Sequence, residues 1–184
     1  MVGIVAAVVV VLAIVIWAIC TRNKLVSFEN QTEGALHGID VYLKKRYDLI
    51  PNIVETVKGY AKHESETFEK VVKARNMVHN ATTTEEKIQA ENELSRTLRG
   101  LNVVVEQYPE LKANTGFLDL QGQLKSIESE LANARKYFNA TVQHFNTKIR
   151  LFPTSIIASI MHLKKLPYFE LESEQERQNV KVQF

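Results

Sequence analysis

The sequence has 184 residues, with 23 Lys and Arg against 21 Asp and Glu, so its formal net charge is +2. This balance gives no strong electrostatic field and lacks the basic excess of nucleic-acid-binding proteins, so no nucleic-acid partner is expected. The single cysteine excludes an intrachain disulfide and a cysteine-based metal site. Only seven Gly and four Pro occur, which favours long helices.

The first distinct segment is an uncharged apolar run of nineteen residues from Val2 to Cys20. As a helix it would be ~28 Å long, about the thickness of the hydrocarbon core of a bilayer. The run therefore predicts a transmembrane helix, with Trp17 as an interfacial anchor. A cleaved signal peptide fits less well, because the run is long and no basic residue precedes it.

The flanking charges predict how this helix is oriented. Arg22 and Lys24 follow the run directly, whereas no Lys or Arg precedes it. Positively charged flanks stay in the cytoplasm. We therefore expect a single-pass protein of the cell inner membrane, with its N-terminus outside and its C-terminal helices in the cytoplasm. Cys20 is interpreted as an unpaired thiol at the interface, with lipidation as the alternative.

Apolar residues at alternating steps of three and four predict two long helices after the anchor. The first runs from Leu25 to about Ala81, with either a kink at Pro51 or a fresh start capped by Asp48. The second begins at a capping box, formed by Thr83 and the glutamate three residues later, and ends near Gln107.

The same spacing predicts a third long helix and a short fourth one. The third is capped by Asn114 or Thr115 and follows a stripe from Phe117 to Phe152, where the next residue, a proline, stops it. The fourth runs from Thr154 to about Lys165. The prediction is therefore an all-α protein, in which an N-terminal transmembrane helix (1–21) precedes an elongated antiparallel up-and-down bundle of long helices (22–166) and an acidic C-terminal tail (167–184).

The fourth helix is apolar around most of its circumference, so it must be buried. Two roles are open for it: contact with the membrane or a neighbouring subunit, or capping of the end of the bundle. The residues concerned are Ile156, Ile157, Ile160, Met161 and Leu163.

Polar residues on or beside the apolar stripes are candidates for structural roles. Glu64 and Arg75 lie on the stripe of the first helix, and Arg135 flanks that of the third. Either a buried Glu–Arg pair sets the register of the helices, or the arginine stems reach out to solvent. Asn139 and Asn146 either hydrogen-bond across helices or line a solvated edge, and the edge is the favoured interpretation.

The basic run 44–46 (KKR) is interpreted as a solvated or oligomer-facing patch rather than a lipid-binding one, because it lies ~36 Å beyond the span if helical. No sequence pattern indicates an enzyme. P-loop, G-x-G-x-x-G and G-x-S-x-G motifs are absent, and His63-Glu64 lacks the second histidine of a zinc-protease motif. We therefore expect neither catalysis nor a cofactor.

A set of motifs is spread along the chain: Ile39–Val41, Leu43–Asn52 (LKKRYDLIPN), Val57–Ala61 (VKGYA), His63-Glu64, Tyr108–Asn114 (YPELKAN), Phe117, Leu120-Gln121, Leu124, Ala134-Arg135, Phe138-Asn139, Val142, Phe145-Asn146, Ile149, Phe152-Pro153, Val182 and Phe184. Together these motifs resemble those of the LemA family of bacterial membrane proteins. The chain departs from the family pattern at Leu36, where tryptophan is usual, at Tyr42, where glutamine is common, and at Phe138 and Phe145, which replace tyrosines.

The resemblance implies an N-terminal membrane helix with its tail outside and an antiparallel bundle on the inner side. It carries over no catalytic residue, because the family has no settled biochemical activity. Some relatives are tied to magnetosome membranes and others to membrane proteases or stress signalling.

The expected function is that of a scaffold: a homo-oligomer on the lipid bilayer that organises or remodels the membrane. The alternative is an adaptor for a membrane protease or stress-signalling protein. Such an adaptor would dock through the acidic residues 170–176 or through a groove beside Phe138 and Phe145.

Overall fold

The computed structural model describes residues 1–169, which form six helices and no strand. The prediction of an all-α fold with a long apolar N-terminal helix is confirmed. The acidic residues of the predicted tail, at 170, 172, 174 and 176, lie outside the described residues, as do Val182 and Phe184. The helices are α1 (Val2–Tyr60), α2 (Ser65–Asn80), α3 (Thr84–Glu106), α4 (Pro109–Lys112), α5 (Thr115–Lys148) and α6 (Thr154–Ile160).

The described residues divide into two compact units. The first unit combines Met1–Asp40 with Ala132–Tyr168. The second contains Val41–Leu131, together with Phe169. Helices α1 and α5 each contribute to both units, and α1 passes through position 21 without a break.

In the first unit, burial along α1 begins where the apolar run ends. No residue before Thr21 is buried, whereas from there the buried residues recur on one face of the helix. Thr32 satisfies its hydroxyl within the helix, because Oγ1 donates to the carbonyl of Phe28 at 3.0 Å. The buried residues of this face are Thr21, Leu25, Thr32, Ala35 and Ile39.

In the second unit, a four-residue turn divides the long helix that the sequence predicts into the end of α1 and the separate helix α2. The prediction of a continuous helix to Ala81 is wrong, because α1 ends at Tyr60 and α2 begins at Ser65. Pro51 lies inside α1 and does not end it. The apolar spacing carries on across the turn since Val57, Ala61 and Phe68 are all buried. The spacing therefore reports which face is buried, but not that the backbone is continuous.

Helix α3 begins with the capping box that the sequence predicts. The Thr83 hydroxyl accepts from the backbone N–H of Glu86 at 3.2 Å, and the Glu86 carboxylate accepts from the backbone N–H of Thr83 at 3.1 Å. Backbone hydrogen bonds from Thr82 and then Thr83 lower the pKa of Glu86. Its contribution to stability is therefore present above the ordinary glutamate pKa and is lost as the pH falls through the lowered value.

Helix α5 starts as predicted and ends earlier. Asn114 is its cap, because the side-chain Oδ1 accepts from the backbone N–H of Phe117 at 2.8 Å. The expected continuation to Phe152 is wrong: α5 stops at Lys148, and Phe152 is 82% exposed. A residue directly before proline resists helical backbone angles, which keeps Phe152 itself out of the helix.

Helix α6 is shorter than predicted, because it ends at Ile160 in a Schellman motif. The backbone N–H of Leu163 donates to the carbonyl of Ala158 at 3.1 Å, and that of His162 donates to the carbonyl of Ser159 at 3.1 Å. His162 has a φ of 56°, a left-handed conformation that normally favours glycine.

We predict that His162→Gly stabilises the protein. The left-handed conformation costs a residue with a Cβ about 1–2 kcal/mol, and part of the gain is offset by the greater freedom of glycine in the unfolded chain. The melting temperature of the full chain in detergent, followed by circular dichroism, should rise by about 2–3 °C. His162→Ala is the control, because alanine keeps the penalty; an equal rise in both variants would contradict the explanation.

Candidate functional site

Helix α1 is long and apolar enough in its first part to cross a membrane, judged by length and composition. None of its most apolar window is buried within the described structure. Val2 is 86% exposed, Trp17 is 37% exposed and Cys20 is a free, exposed thiol. All three residues predicted to span the membrane therefore lie on an uncovered part of α1.

Directly after this apolar segment, α1 packs into a hydrophobic cluster of the first unit. Leu25 of α1 meets Phe145 and Ile149 from the end of α5 and Ala158 of α6. Three of the five predicted contact residues of the fourth helix, Ile157, Met161 and Leu163, pack against this cluster.

The other two residues of that set, Ile156 and Ile160, face outward. They are 50% and 69% exposed, so packing within the chain does not bury the whole helix, and their contact with a membrane or a neighbouring subunit stays a prediction. The seven-residue helix packs against the cluster with one side only, and its opposite side is left uncovered.

Asn146 fastens the segment after α6 to the end of α5. Its Nδ2 donates to the carbonyl of Leu166 at 2.9 Å, and its Oδ1 accepts from the backbone N–H of Leu166 at 2.9 Å. The side chain therefore pairs with both backbone groups of one residue. Asn146 is buried, which corrects its placement on a solvated edge, while Asn139 is half-buried.

The exposed apolar residues of this region form a surface that we call the apolar patch: Leu151, Phe152, Ile156 and Ile160. The surrounding sequence is basic. Residues 132–168 contain six Lys or Arg and no Asp or Glu. A contiguous apolar surface with cations around it is typical of contact with a membrane interface or another protein.

Phe138 and Phe145, beside which the sequence predicts a docking groove, are core residues of the first unit, 2% and 1% exposed. Their rings serve packing within the unit, and docking of a partner beside them stays a prediction.

A buried ion pair is present in the second unit, but between residues that the sequence analysis did not pair. Arg46 of α1 donates from Nη1 to Glu91 Oε2 of α3 at 2.7 Å and from Nη2 to Glu128 Oε1 of α5 at 3.1 Å. Ser95 Oγ accepts from both Nη atoms at 3.2 and 3.3 Å. We call these four residues the Arg46 cluster. It joins three helices, and the interpretation of Arg46 as part of a solvated patch is wrong, because its side chain is 3% exposed.

The three predicted structural polar residues have separate environments. Glu64 is half-buried at the N-cap position of α2 and makes no side-chain capping hydrogen bond. Arg135 is buried, 9% exposed, in the first unit. Arg75 is half-buried in α2, where its guanidinium lies 3.5 Å from the centroid of the Tyr47 ring.

Arg75 also satisfies the backbone group that Pro51 leaves without a donor. In a regular helix the carbonyl of Tyr47 would accept from the N–H of residue 51, but proline has none. Arg75 Nε donates to that carbonyl at 2.9 Å instead. Helix α1 can therefore contain the proline because α2 supplies the missing hydrogen bond.

This arrangement predicts that Arg75 and Pro51 are energetically coupled. Arg75→Leu should destabilise the full chain by about 2 kcal/mol, since it removes a charged hydrogen bond and a cation–π contact. In a Pro51→Ala background the alanine N–H serves the carbonyl, so the same change should cost at least ~1 kcal/mol less. Denaturant titration of the four proteins in detergent measures the difference; equal costs in both backgrounds would refute the coupling.

The Arg46 cluster had a signal in the sequence that was overlooked. Glu91 precedes Leu94 by three positions, so it lies on the same stripe of α3 as the buried leucines. Arg46 likewise falls three residues after Leu43 and four before Ile50, both buried. An acid on one buried stripe and a base on a facing stripe indicate an ion pair. Arg46 was instead interpreted as a surface residue because two lysines precede it in the sequence.

The arrangement of these side chains gives no metal centre in the part of the chain that the structure describes. Within residues 1–169 no group of three His, Cys, Asp or Glu side chains is arranged to hold an ion. The notable features are instead an uncovered apolar helix, an apolar patch among cations and a buried polar cluster that holds three helices together.

Comparisons with known proteins agree with the resemblance noted from the motifs. Protein LemA of Metamycoplasma hominis is 26% identical over 160 residues, covering 86% of this chain and 73% of the relative. Magnetosome protein MamQ of Magnetospirillum gryphiswaldense is 29% identical over 80 residues, covering 44% of this chain and 29% of that protein. Magnetosome protein MamQ 1 of Paramagnetospirillum magneticum is 28% identical over 81 residues, 44% of this chain and 30% of its own length.

The sequence profile described as LemA family matches residues 35–184. That range begins after the apolar segment of α1 and includes the Arg46 cluster, Pro51, Arg75 and all helices from α2 to α6. The chain belongs to the LemA family.

Proposed function

We propose that the protein is a non-enzymatic scaffold of the inner membrane. In this proposal α1 spans the bilayer once with its N-terminus outside, and the remaining helices self-assemble on the cytoplasmic leaflet to organise or remodel it. The observation that carries the proposal is that the first unit contains two separate exposed apolar surfaces: the uncovered apolar start of α1 and the apolar patch.

The composition around the apolar patch supports contact with a bilayer surface. Phe152 and Ile160 are 82% and 69% exposed, and residues 148–165 contain four Lys or Arg and no acid. An apolar surface among cations inserts into the headgroup region, and each cation close to anionic lipid adds about 1 kcal/mol. Attachment at two points holds the unit against the leaflet, which raises its effective concentration for self-association. Relatives named as magnetosome proteins support a membrane-organising role.

The test uses the full chain purified in detergent and reconstituted into vesicles containing anionic lipid. Mass photometry should detect oligomers, and electron cryomicroscopy should detect clustered or deformed membrane. Phe152→Ser/Ile156→Ser/Ile160→Ser should abolish the deformation with the helix content unchanged, because these side chains are exposed. Val41→Ser/Val103→Ser/Leu118→Ser is the matched control, with side chains 54%, 61% and 47% exposed in the second unit. A monomer at every concentration would refute the scaffold.

A second candidate function, that of an adaptor, rests on a groove in the second unit. The groove has a volume of about 790 Å³ and lies along α2 and the end of α1. Its floor contains Phe68, Val72 and Met77, and its rim contains three lysines, Lys58, Lys62 and Lys73, with one acid, Glu69. Apolar anchors with a basic rim fit an acidic amphipathic helix from a membrane protease or stress-signalling protein.

Photocrosslinking in native membranes tests the adaptor. A crosslinker at Val72 should capture one stoichiometric heterologous protein with an acidic amphipathic segment, whereas a crosslinker at Val103, which is more exposed and lies outside the groove, should not. Lys62→Glu/Lys73→Glu should then abolish binding of that purified partner. Capture of other copies of this chain alone would reject the adaptor in favour of the scaffold.

A further inference from the structure

We propose that a pocket of the first unit, at the end of the apolar segment of α1, binds the phosphate of an anionic phospholipid. The pocket has a volume of about 440 Å³ and lies between α1, the last turns of α5 and the start of α6. This volume is within the range of ligand pockets, ~300–1,000 Å³. The inference rests on the proposed insertion of α1 into the bilayer, because that insertion places the pocket at the lipid–water interface.

The charge of the pocket selects an anion. Lys24 of α1 and Lys148 of α5 line it, and no carboxylate does. Neither lysine forms an ion pair with any of the residues 1–169. Sequence neighbours do not neutralise them either, since residues 132–168 contain no acid and the first acid of α1 is Glu29. Two ammonium groups on one pocket without a counter-ion favour a phosphate over a zwitterionic or neutral group.

The remaining walls of the pocket select a lipid rather than a soluble phosphate. Trp17 and Cys20 line it from the last turn of the apolar segment, so the pocket is continuous with the helix surface along which acyl chains would lie. Phe28 and His144 form a second wall, with ring centroids 4.6 Å apart in an edge-to-face arrangement. An amphipathic aromatic such as Trp17 is typical of headgroup depth. Trp17 and Cys20 at the end of the apolar segment, together with two lysines on the same pocket, match the acyl chains and the phosphate of a phospholipid.

The experiment measures lipid retention by the full chain in nanodiscs of equal phosphatidylglycerol and phosphatidylcholine, using native mass spectrometry. Wild type should retain phosphatidylglycerol in preference to phosphatidylcholine. Lys24→Gln/Lys148→Gln should weaken that preference about 30-fold, from two cations contributing about 1 kcal/mol each. Lys125→Gln/Lys136→Gln is the matched control, because it removes the same charge from exposed positions of α5 outside both the pocket and residues 148–165, and it should retain the lipid like wild type.

Three outcomes overturn the proposal. Equal loss in both double variants would mean that general surface charge attracts the lipid. Retention without preference for phosphatidylglycerol would exclude an anion site. Displacement of the lipid by millimolar inorganic phosphate would assign the pocket to the free anion. Resistance to alkaline carbonate extraction, measured in parallel, reports the insertion of α1. Failure there would refute the proposed anchoring, whereas insertion without selective retention would refute the pocket alone.

Discussion

Replacing Arg46 with methionine in the full chain is expected to lower the melting temperature by about 6–20 °C. The change leaves Glu91, whose side chain is 0% exposed, without its 2.7 Å partner. Breaking a buried ion pair by removing one member costs about 3–5 kcal/mol, since a charge remains in a medium that solvates it poorly. For a protein of this size each kcal/mol shifts the melting temperature by about 2–4 °C. Circular dichroism in detergent measures the shift.

Two further variants test whether the loss comes from removing Arg46 from beside the buried Glu91 carboxylate. Arg46→Met/Glu91→Met should recover most of the stability, because apolar side chains of similar volume often replace a buried pair without loss. Glu128→Gln should cost at most about 1 kcal/mol, since the Glu128 side chain is 47% exposed and water solvates it. If Arg46→Met cost no more than Glu128→Gln, the Arg46 cluster would not be a determinant of stability.

Placing two lysines in the apolar run, at Val10 and Ile14, is expected to release the protein from the membrane. On insertion scales a lysine at the centre of a span costs about 2.5–3.5 kcal/mol, and replacing two apolar residues makes insertion less favourable by about 6–8 kcal/mol. Wild type should stay in the pellet after alkaline carbonate extraction, and the variant should move to the supernatant. Carbonate also strips proteins attached only by their surface, so the apolar patch alone should not hold the variant back.

Val10→Leu/Ile14→Leu is the control, because it alters the same positions and leaves the run apolar. It should behave like wild type. Mass spectrometry of the mature protein provides an independent check: the intact N-terminus must be present. A lysine variant that still resists carbonate, or a mature chain that lacks its first twenty residues, would refute the membrane span.

The helices were predictable from the sequence wherever a local signal sets their limits. The side chains of Thr83 and Glu86 each accept a hydrogen bond from the backbone N–H of the other residue, so the capping box can be predicted without tertiary information. Asn114 caps α5 in the same local way. The stripe of α5 identified Phe138 and Phe145 as core residues because burial follows the helical period.

Features that depend on distant parts of the chain were not predictable. The turn at residues 61–64 has no proline or glycine, and the apolar spacing continues through it, so only the packing of α2 reveals it. Arg46 looks like surface beside two lysines, and its burial requires Glu91 and Glu128 from two other helices. For Arg75 the sequence offers an ion pair or a stem that reaches to solvent, whereas its partner is the backbone carbonyl of Tyr47. The need of that carbonyl for a donor becomes visible once Tyr47 and Pro51 are seen in one unbroken helix.

The contacts of α1 in the first unit have a consequence for biosynthesis. Gln31 donates a hydrogen bond to the hydroxyl of Tyr137, a residue 106 positions later in the chain. At about 5–20 residues per second, the ribosome needs roughly 5–20 s to make that intervening sequence. Throughout this interval Leu25, Ala35 and Ile39 have no α5 to cover them. This face of α1 therefore stays uncovered by α5 until translation is nearly complete.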